Sequence, residues 1–184
     1  IAVYGDYDAD GVTATTLLCE YLQMNGADVV PYIPDRNSEG YGLNNEAIRS
    51  LCEMGVSLIV TVDNGISAHG EAQYIKELGM DLVITDHHKV GETIPEAVAV
   101  VNPHRADCPS AFKHFAGVGV AFKLVCALCG DGDQALSMFA DLVTIGTIGD
   151  IVSLTGENRF IVKYGIKMLN NGTSPGIEQL KKVA

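Results

Sequence analysis

Ile1-Ala-Val-Tyr-Gly-Asp-Tyr-Asp-Ala-Asp-Gly11 is the stretch on which the reading of the fold turns. An apolar run suited to a buried strand ends in a loop with aspartates at alternate positions, Asp6, Asp8 and Asp10, and helical periodicity follows from Val12. A strand that releases polar groups at its carboxyl end and runs on into a helix is the repeating unit of a parallel sheet. The rest of the chain repeats it. The spacing predicts a helix over Val12–Asn25 closed by Gly26, a strand over Ala27–Ile33, and a polar loop over Pro34–Gly42. A helix over Asn44–Met54 is closed by Gly55 and leads to the β-branched strand Val56–Val62. A helix over Ser67–Leu78, closed by Gly79, leads to Asp81–Thr85, and Ala97–Val101 is a fifth strand before Pro103. Beyond Val118 the periodicity is helical almost to the end. The fold class predicted is α/β: a mostly parallel five-stranded sheet flanked by helices, with a helical C-terminal part.

At 184 residues, 47% apolar and 19% charged, the chain can bury the core of one domain, or of one domain with a helical appendage. It begins at Ile1 inside an apolar run and stops at Val183-Ala184 inside a helical pattern, so the natural protein is expected to be longer at both ends. No apolar run approaches the ~20 residues of a membrane span. Five cysteines, at 19, 52, 108, 126 and 129, form an odd set within mostly apolar runs, which fits reduced thiols in a cytoplasmic protein. Cys126-x-x-Cys129 lies in the apolar helical stretch Val120–Cys129 and reads as core packing rather than zinc or redox chemistry.

The formal charge of −11 argues at first against a nucleic-acid partner, whose grip is mainly a Lys/Arg effect. Two divalent cations on the aspartates would bring it to −7, so net charge neither supports nor excludes such a partner.

The carboxylates are placed, not scattered. Asp6, Asp8 and Asp10 follow the first strand, Asp63 ends the third, and Asp86-His87-His88 ends the fourth. Ligands of an open parallel sheet bind beyond the carboxyl ends of its strands. Clustered carboxylates repel one another in a partly dry cleft, and divalent cations relieve that repulsion. Oxygen donors mixed with imidazole suit manganese, or magnesium with less histidine. Singly, each element has a plainer reading: Asp8 and Asp10 as helix caps, Asp63-Asn64-Gly65 as a turn, His87-His88 as loop residues. Convergence on one rim favours metal. The run from Asp6 to Gly11 also opens like a calcium-binding EF-hand, but loop position twelve is Leu17 and a strand precedes the loop.

With these residues assembled, the chain resembles the DHH phosphoesterase family, and within it the RecJ-type single-strand-specific exonucleases. Four stretches carry the resemblance: Gly5-Asp-Tyr-Asp-Ala-Asp-Gly11, Val62-Asp-Asn-Gly65, Asp86-His-His88 and Gly146-Thr-Ile-Gly-Asp-Ile151. Ile33–Gly42, Val101-Asn-Pro-His-Arg105, Gly117–Lys123 and Glu157-Asn-Arg159 extend it over nearly the whole chain in order. The resemblance implies a metal set of Asp6, Asp8, Asp10, Asp63, His87 and Asp150, with Asp63 bridging two ions, Mn2+ favoured over Mg2+. It implies that Asp86 orients the histidines and that His88 faces the scissile phosphate. Where many members carry a histidine four residues before the paired aspartates, this chain has Tyr4, and Asp6 is the expected replacement. Asp150, in the helical part Ile145–Val152, reads without the resemblance as a helix cap beside Gly149.

The implied activity is two-metal hydrolysis of a phosphodiester by a 5′ to 3′ exonuclease on single-stranded DNA, in repair and recombination. Arg36 is expected to hold an adjacent phosphate, and the backbone N–H groups at Gly117 and Gly119 are further candidates for cradling one. The corresponding division is a catalytic domain over residues 1–155 and a helical extension or linker over 156–184, leading to C-terminal domains of the same chain. Other readings are a DHH phosphodiesterase for short oligonucleotides, cyclic dinucleotides or pyrophosphate, and a non-catalytic replication scaffold of the same fold. The filled motif positions disfavour the scaffold.

Overall fold

The computed structural model describes residues 1–172 and 175–183. β1 (Ala2–Tyr4), β2 (Val30–Tyr32), β3 (Leu58–Val62), β4 (Asp81–Thr85) and β5 (Ala99–Val101) form one wholly parallel sheet in the order β2-β1-β3-β4-β5. Successive strand residues face opposite sides. Val3, Val60 and Val62 point to one core, whereas Ala2, Tyr4, Ile59, Leu82 and Ile84 point to the other.

The first core is covered by α1 (Ala9–Met24) and α4 (Gly117–Cys129), with α5 (Gly132–Gly149) packed across both and α6 (Gly156–Asn171) packed on α5. The second is covered by α2 (Asn45–Glu53) and α3 (His69–Glu77). The short α7 (Pro175–Leu180) adds Ile177 to the first core. Fully buried side chains such as Leu17, Ile59, Ile75 and Ile84 each stabilise the fold by roughly 1.5–3 kcal/mol.

Strand order dictates where a ligand can enter. α1 carries the chain from β1 outward to β2, and α2 carries it back past β1 to β3. Right-handed crossovers that run in opposite directions lie on opposite faces. The loops leaving β1 and β3 therefore diverge, and a crevice opens between two neighbouring strands at this switch point. The register keeps the strand ends level, since Tyr4 lies beside Thr61, and Thr61 beside Ile84.

Local chemistry sets the element ends. Asp8 Oδ1 accepts from the N–H groups of Asp10 and Gly11 at 2.9 Å, so α1 starts at Ala9, three residues before the expected Val12. β2 spans three residues instead of the expected seven, because it is an edge strand whose central Pro31 has no N–H to donate. Gly26, Gly55 and Gly79 take left-handed φ values of 82°, 84° and 75°, as helix-closing residues should. Among the described residues no helix is long and apolar enough to cross a membrane, and all five cysteines are free.

Candidate metal centre

The crevice between β1 and β3 is where the acidic residues meet. Asp6 leaves β1, is buried, and has a carboxylate oxygen (Oδ1) with no hydrogen-bond partner. Asp8 is exposed and spends one oxygen on the N-cap of α1. Asp10, in the first turn of α1, is 1% exposed and reaches across to α4, where Oδ2 accepts from Gly117 N at 2.6 Å and Oδ1 from Val118 N at 2.7 Å. Of the two positions whose N–H groups were expected to cradle phosphate, Gly117 and Gly119, the first is thereby taken. The Gly117 N–H is already satisfied by Asp10, so that part of the expectation is corrected, and Gly119 packs against Phe115 in the first turn of α4. Gly117 is there for closeness: a Cβ on it would stand 2.4 Å from Asp63 Oδ1.

Asp63 follows β3 with φ 63°, a left-handed conformation that aspartate tolerates better than most residues. Its turn is held by Asn64, whose side chain donates to Val62 O and Tyr4 O, and by Thr61, whose hydroxyl donates to Asn64 O. Asp86 follows β4 and organises the next loop. Its Oδ2 accepts from Ile66 N, and its Oδ1 accepts from His87 N and His88 N and lies 2.7 Å from His88 Nδ1. His88 thus presents Nε2 as the ring nitrogen without a hydrogen-bond partner among the described residues.

His87 is the hub: Nε2 lies 3.1 Å from Asp63 Oδ1, 3.7 Å from Asp150 Oδ2 and 3.8 Å from Asp10 Oδ2. The approach to Asp63 has the distance of an ion pair but not the alignment of a hydrogen bond, so Asp63 Oδ1 is still an unsatisfied buried acceptor. Asp150 arrives from far along the chain, as the C-cap of α5. Gly146 and Gly149 bring it in, because α5 presses there on α1: a Cβ on Gly146 would lie 2.3 Å from Thr13 Oγ1, and one on Gly149 would lie 2.9 Å from Ala9 Cβ.

Three sets of donor atoms lie mutually within 4.8 Å: Asp6, Asp8 and Asp63; Asp10, His87 and Asp150; and Asp63, His87 and His88. All six expected metal ligands fall in the first two sets. Asp63 and His87 each belong to two of the three, so they are the joints between sites. The third set also brings His88 within reach of a cation, whereas the sequence reading kept it for phosphate.

The electrostatics are those of a site built for cations. Burial, then the charge of Asp63, pushes the Asp10 carboxyl up to about 7 against the N–H groups of Val118 and Gly117 and against His87. Burial pushes Asp63 up to about 6, opposed by His87 and helped by Asp8. Asp6 and Asp150 are raised mainly by burial. Burial lowers His87, but the close contact and charge of Asp63 and the charges of Asp10 and Asp150 outweigh it and lift the imidazole to about 9. Asp86 is the exception: burial raises it, yet the His88 ring and the N–H groups of His88 and Ile66 hold it below its ordinary value. Asp6 Oδ1, Asp63 Oδ1 and Asp150 Oδ2 are buried without donors. Such oxygens are costly unless a cation binds them, and the carboxylate-plus-imidazole set fits manganese or magnesium.

Arg36 sits on the rim in the exposed loop after β2, with its guanidinium 5.2 Å from the centre of the Tyr7 ring. Tyr4, at the position where a histidine was the alternative, is buried on the far side of the sheet, where its hydroxyl bonds Gly42 O and Asn44. Two site residues were not singled out from sequence. The Tyr41 hydroxyl lies 3.3 Å from both Asp63 O and His88 Nδ1, and Asn102 donates to His88 O at 2.9 Å. Both lie in stretches quoted for the resemblance, and only the fold gives them partners.

A doubly wound sheet with a carboxylate-rich cation site at its switch point defines the class, and the chain belongs to the DHH family: residues 1–147 match the model described as "DHH family, N-terminal domain". It is 50% identical over 184 residues to the single-stranded-DNA-specific exonuclease RecJ of Bacillus subtilis, covering 100% of this chain and 23% of that protein. It superposes on the crystal structure of exonuclease RecJ bound to manganese with a TM-score of 0.88 at 39% identity, covering 99% of this chain and 46% of that one. On the Mn2+ complex of RecJ from Thermus thermophilus the TM-score is 0.81 at 36% identity, covering 99% of this chain and 26% of that one. The chain therefore spans about a quarter of the curated relative's length.

Proposed function

We propose that this chain is the catalytic part of a two-cation phosphodiesterase, a single-stranded-DNA-specific 5′ to 3′ exonuclease serving repair and recombination. The observation that carries the reading is the meeting of two buried, donorless carboxylate oxygens, Asp63 Oδ1 and Asp150 Oδ2, at His87 Nε2, with a third on Asp6 in the donor set that shares Asp63. The likeness to RecJ names the substrate class.

Asp6, Asp8 and Asp63 would hold one cation, and Asp10, His87 and Asp150 the other, with Asp63 shared through its contact with His87. When bound, manganese or magnesium ions supply Lewis-acid polarisation of the phosphate and ionisation of the attacking water near neutral pH. The protein groups do the rest. Asp86 fixes His88 by accepting from Nδ1 and raises the basicity of the ring, so that the imidazolium can donate Nε2–H to a non-bridging phosphate oxygen as charge builds there. Arg36, steadied over Tyr7, offers a guanidinium fork to a neighbouring phosphate. Residues 1–155 form the catalytic unit, and 156–184 lead to further domains of the same chain that grip the strand. The free thiols fit a cytoplasmic setting.

The test is a manganese-dependent assay of the full-length protein on 5′-labelled single strand, 3′-labelled single strand and duplex. Early release of the 5′ label from single strands alone is expected. Cleavage confined to dinucleotides or pyrophosphate, or preference for duplex, refutes the substrate assignment.

A further inference from the structure

Ile151 follows Asp150 and has φ 59°, the left-handed conformation that a β-branched side chain resists most. The chain contains its own comparison. After α1, α2, α3 and α4 the left-handed positions are Gly26, Gly55, Gly79 and Gly130, with φ between 72° and 84°. After α5 the same position is isoleucine. Burial does not offset the strain, because Ile151 is 88% exposed. Strain of this kind persists where a site uses it.

The place narrows the use. The preceding residue is the candidate ligand Asp150, whose Oδ2 lies 3.7 Å from His87. Ile148 and Leu154, three residues to either side, are also exposed, and so is Val12, one turn beyond the Ala9 that Gly149 presses on. No Lys, Arg or His occurs between Lys123 and Arg159, and Lys123 is paired with Glu157 at 2.9 Å. The exposed Ile148, Ile151 and Leu154 are apolar, and the candidate ligand Asp150 directly precedes Ile151.

We propose that Ile151, exposed next to Asp150, is the contact for the nucleobase next to the scissile phosphate, and so favours a nucleic-acid strand over a bare phosphodiester. Apolar side chains wedged against bases are a known means of unstacking them. The inference rests on the strand reading above and adds the residue that recognises the nucleoside.

The experiment uses the full-length, manganese-loaded protein and compares wild type, Ile151→Gly and Ile151→Val on a single-stranded oligonucleotide and on bis(p-nitrophenyl) phosphate, which has no base. The strand-to-diester ratio of kcat/KM should fall about ten-fold in Ile151→Gly, the scale of one base contact, with the loss in KM, and Ile151→Val should restore it. Relief of strain should raise the Tm of Ile151→Gly above that of wild type. An unchanged ratio overturns the inference alone. A lowered Tm overturns it as well, because Ile151 would then pack against another part of the chain. A wild type that cleaves the diester but no strand overturns the strand reading and this inference with it.

Discussion

Manganese should stabilise this protein far more than a loosely bound ion would, and the shift should grow with pH. Two donor sets share the Asp63–His87 joint. At a free ion concentration of ~100 times Kd, each site contributes about 2.7 kcal/mol, or roughly 5 kcal/mol together. For a chain of 184 residues each kcal/mol moves Tm by ~2–4 °C, which makes a rise of roughly 10–20 °C. Without metal, Asp10 at about 7 and Asp63 at about 6 lie above the ordinary carboxylate value of 3.8, so the fold prefers them protonated. Their contribution is complete below pH 3.8 and is lost as pH rises through 6 and then 7. His87, raised from 6.5 to about 9, contributes fully below 6.5 and loses its contribution as pH rises through 9. The metal-free Tm should therefore fall from mildly acid to mildly alkaline buffer. Metal binding requires the deprotonated ligands, so its shift should be at most about half as large near pH 5.5 as near pH 8. Asp63→Asn keeps a residue that tolerates the left-handed backbone and removes a buried charge, so it should match or exceed wild-type stability without metal and lose most of the manganese shift. Differential scanning calorimetry over a manganese and pH series measures all of this. A shift below ~4 °C, a shift independent of pH, or an undiminished shift in Asp63→Asn would refute the shared-site reasoning.

The two histidines should separate, with His87→Ala weakening manganese binding in titration calorimetry and His88→Ala retaining it while hydrolysis slows by ~10²–10⁴-fold. Equal losses of metal affinity would mean that His88 ligates as well. Gly146→Ala would force a Cβ to 2.3 Å from Thr13 Oγ1 and 2.7 Å from Val118 Cγ1, so α5 must retreat. The expected cost is ~1–3 kcal/mol in denaturant unfolding, with weaker manganese binding as Asp150 withdraws, and full metal affinity would show that Asp150 is dispensable. Asp86→Asn should lower kcat by ~10–100-fold, because the residue that orients His88 loses its charge, and an unaltered kcat would dissociate Asp86 from catalysis.

What a residue owes to its near neighbours in sequence was legible without the structure. The alternation of five strands with helices, the helix-closing glycines and the placement of Asp6, Asp63 and Asp86 at strand ends all depend on periodicities of two and 3.6 and on turn chemistry. Six ligand candidates could be named from sequence, though the choice of Asp150 rested on resemblance, because a carboxylate capping a helix looks local until the helix is placed. Element ends were read less well. Pro31 shortened an edge strand, and the Asp8 cap lengthened α1. The phosphate cradle at Gly117 failed for a nonlocal reason: Asp10, 107 residues before it, already accepts its N–H group. Tyr41 and Asn102 likewise acquired a role only from partners 47 and 14 residues away. Strand order is decided by which helix face covers which sheet face, a choice made among whole elements rather than along the chain. It is that order, β2-β1-β3-β4-β5, that sets Asp6 beside Asp63, and the close packing of Gly146 and Gly149 that carries Asp150 to His87.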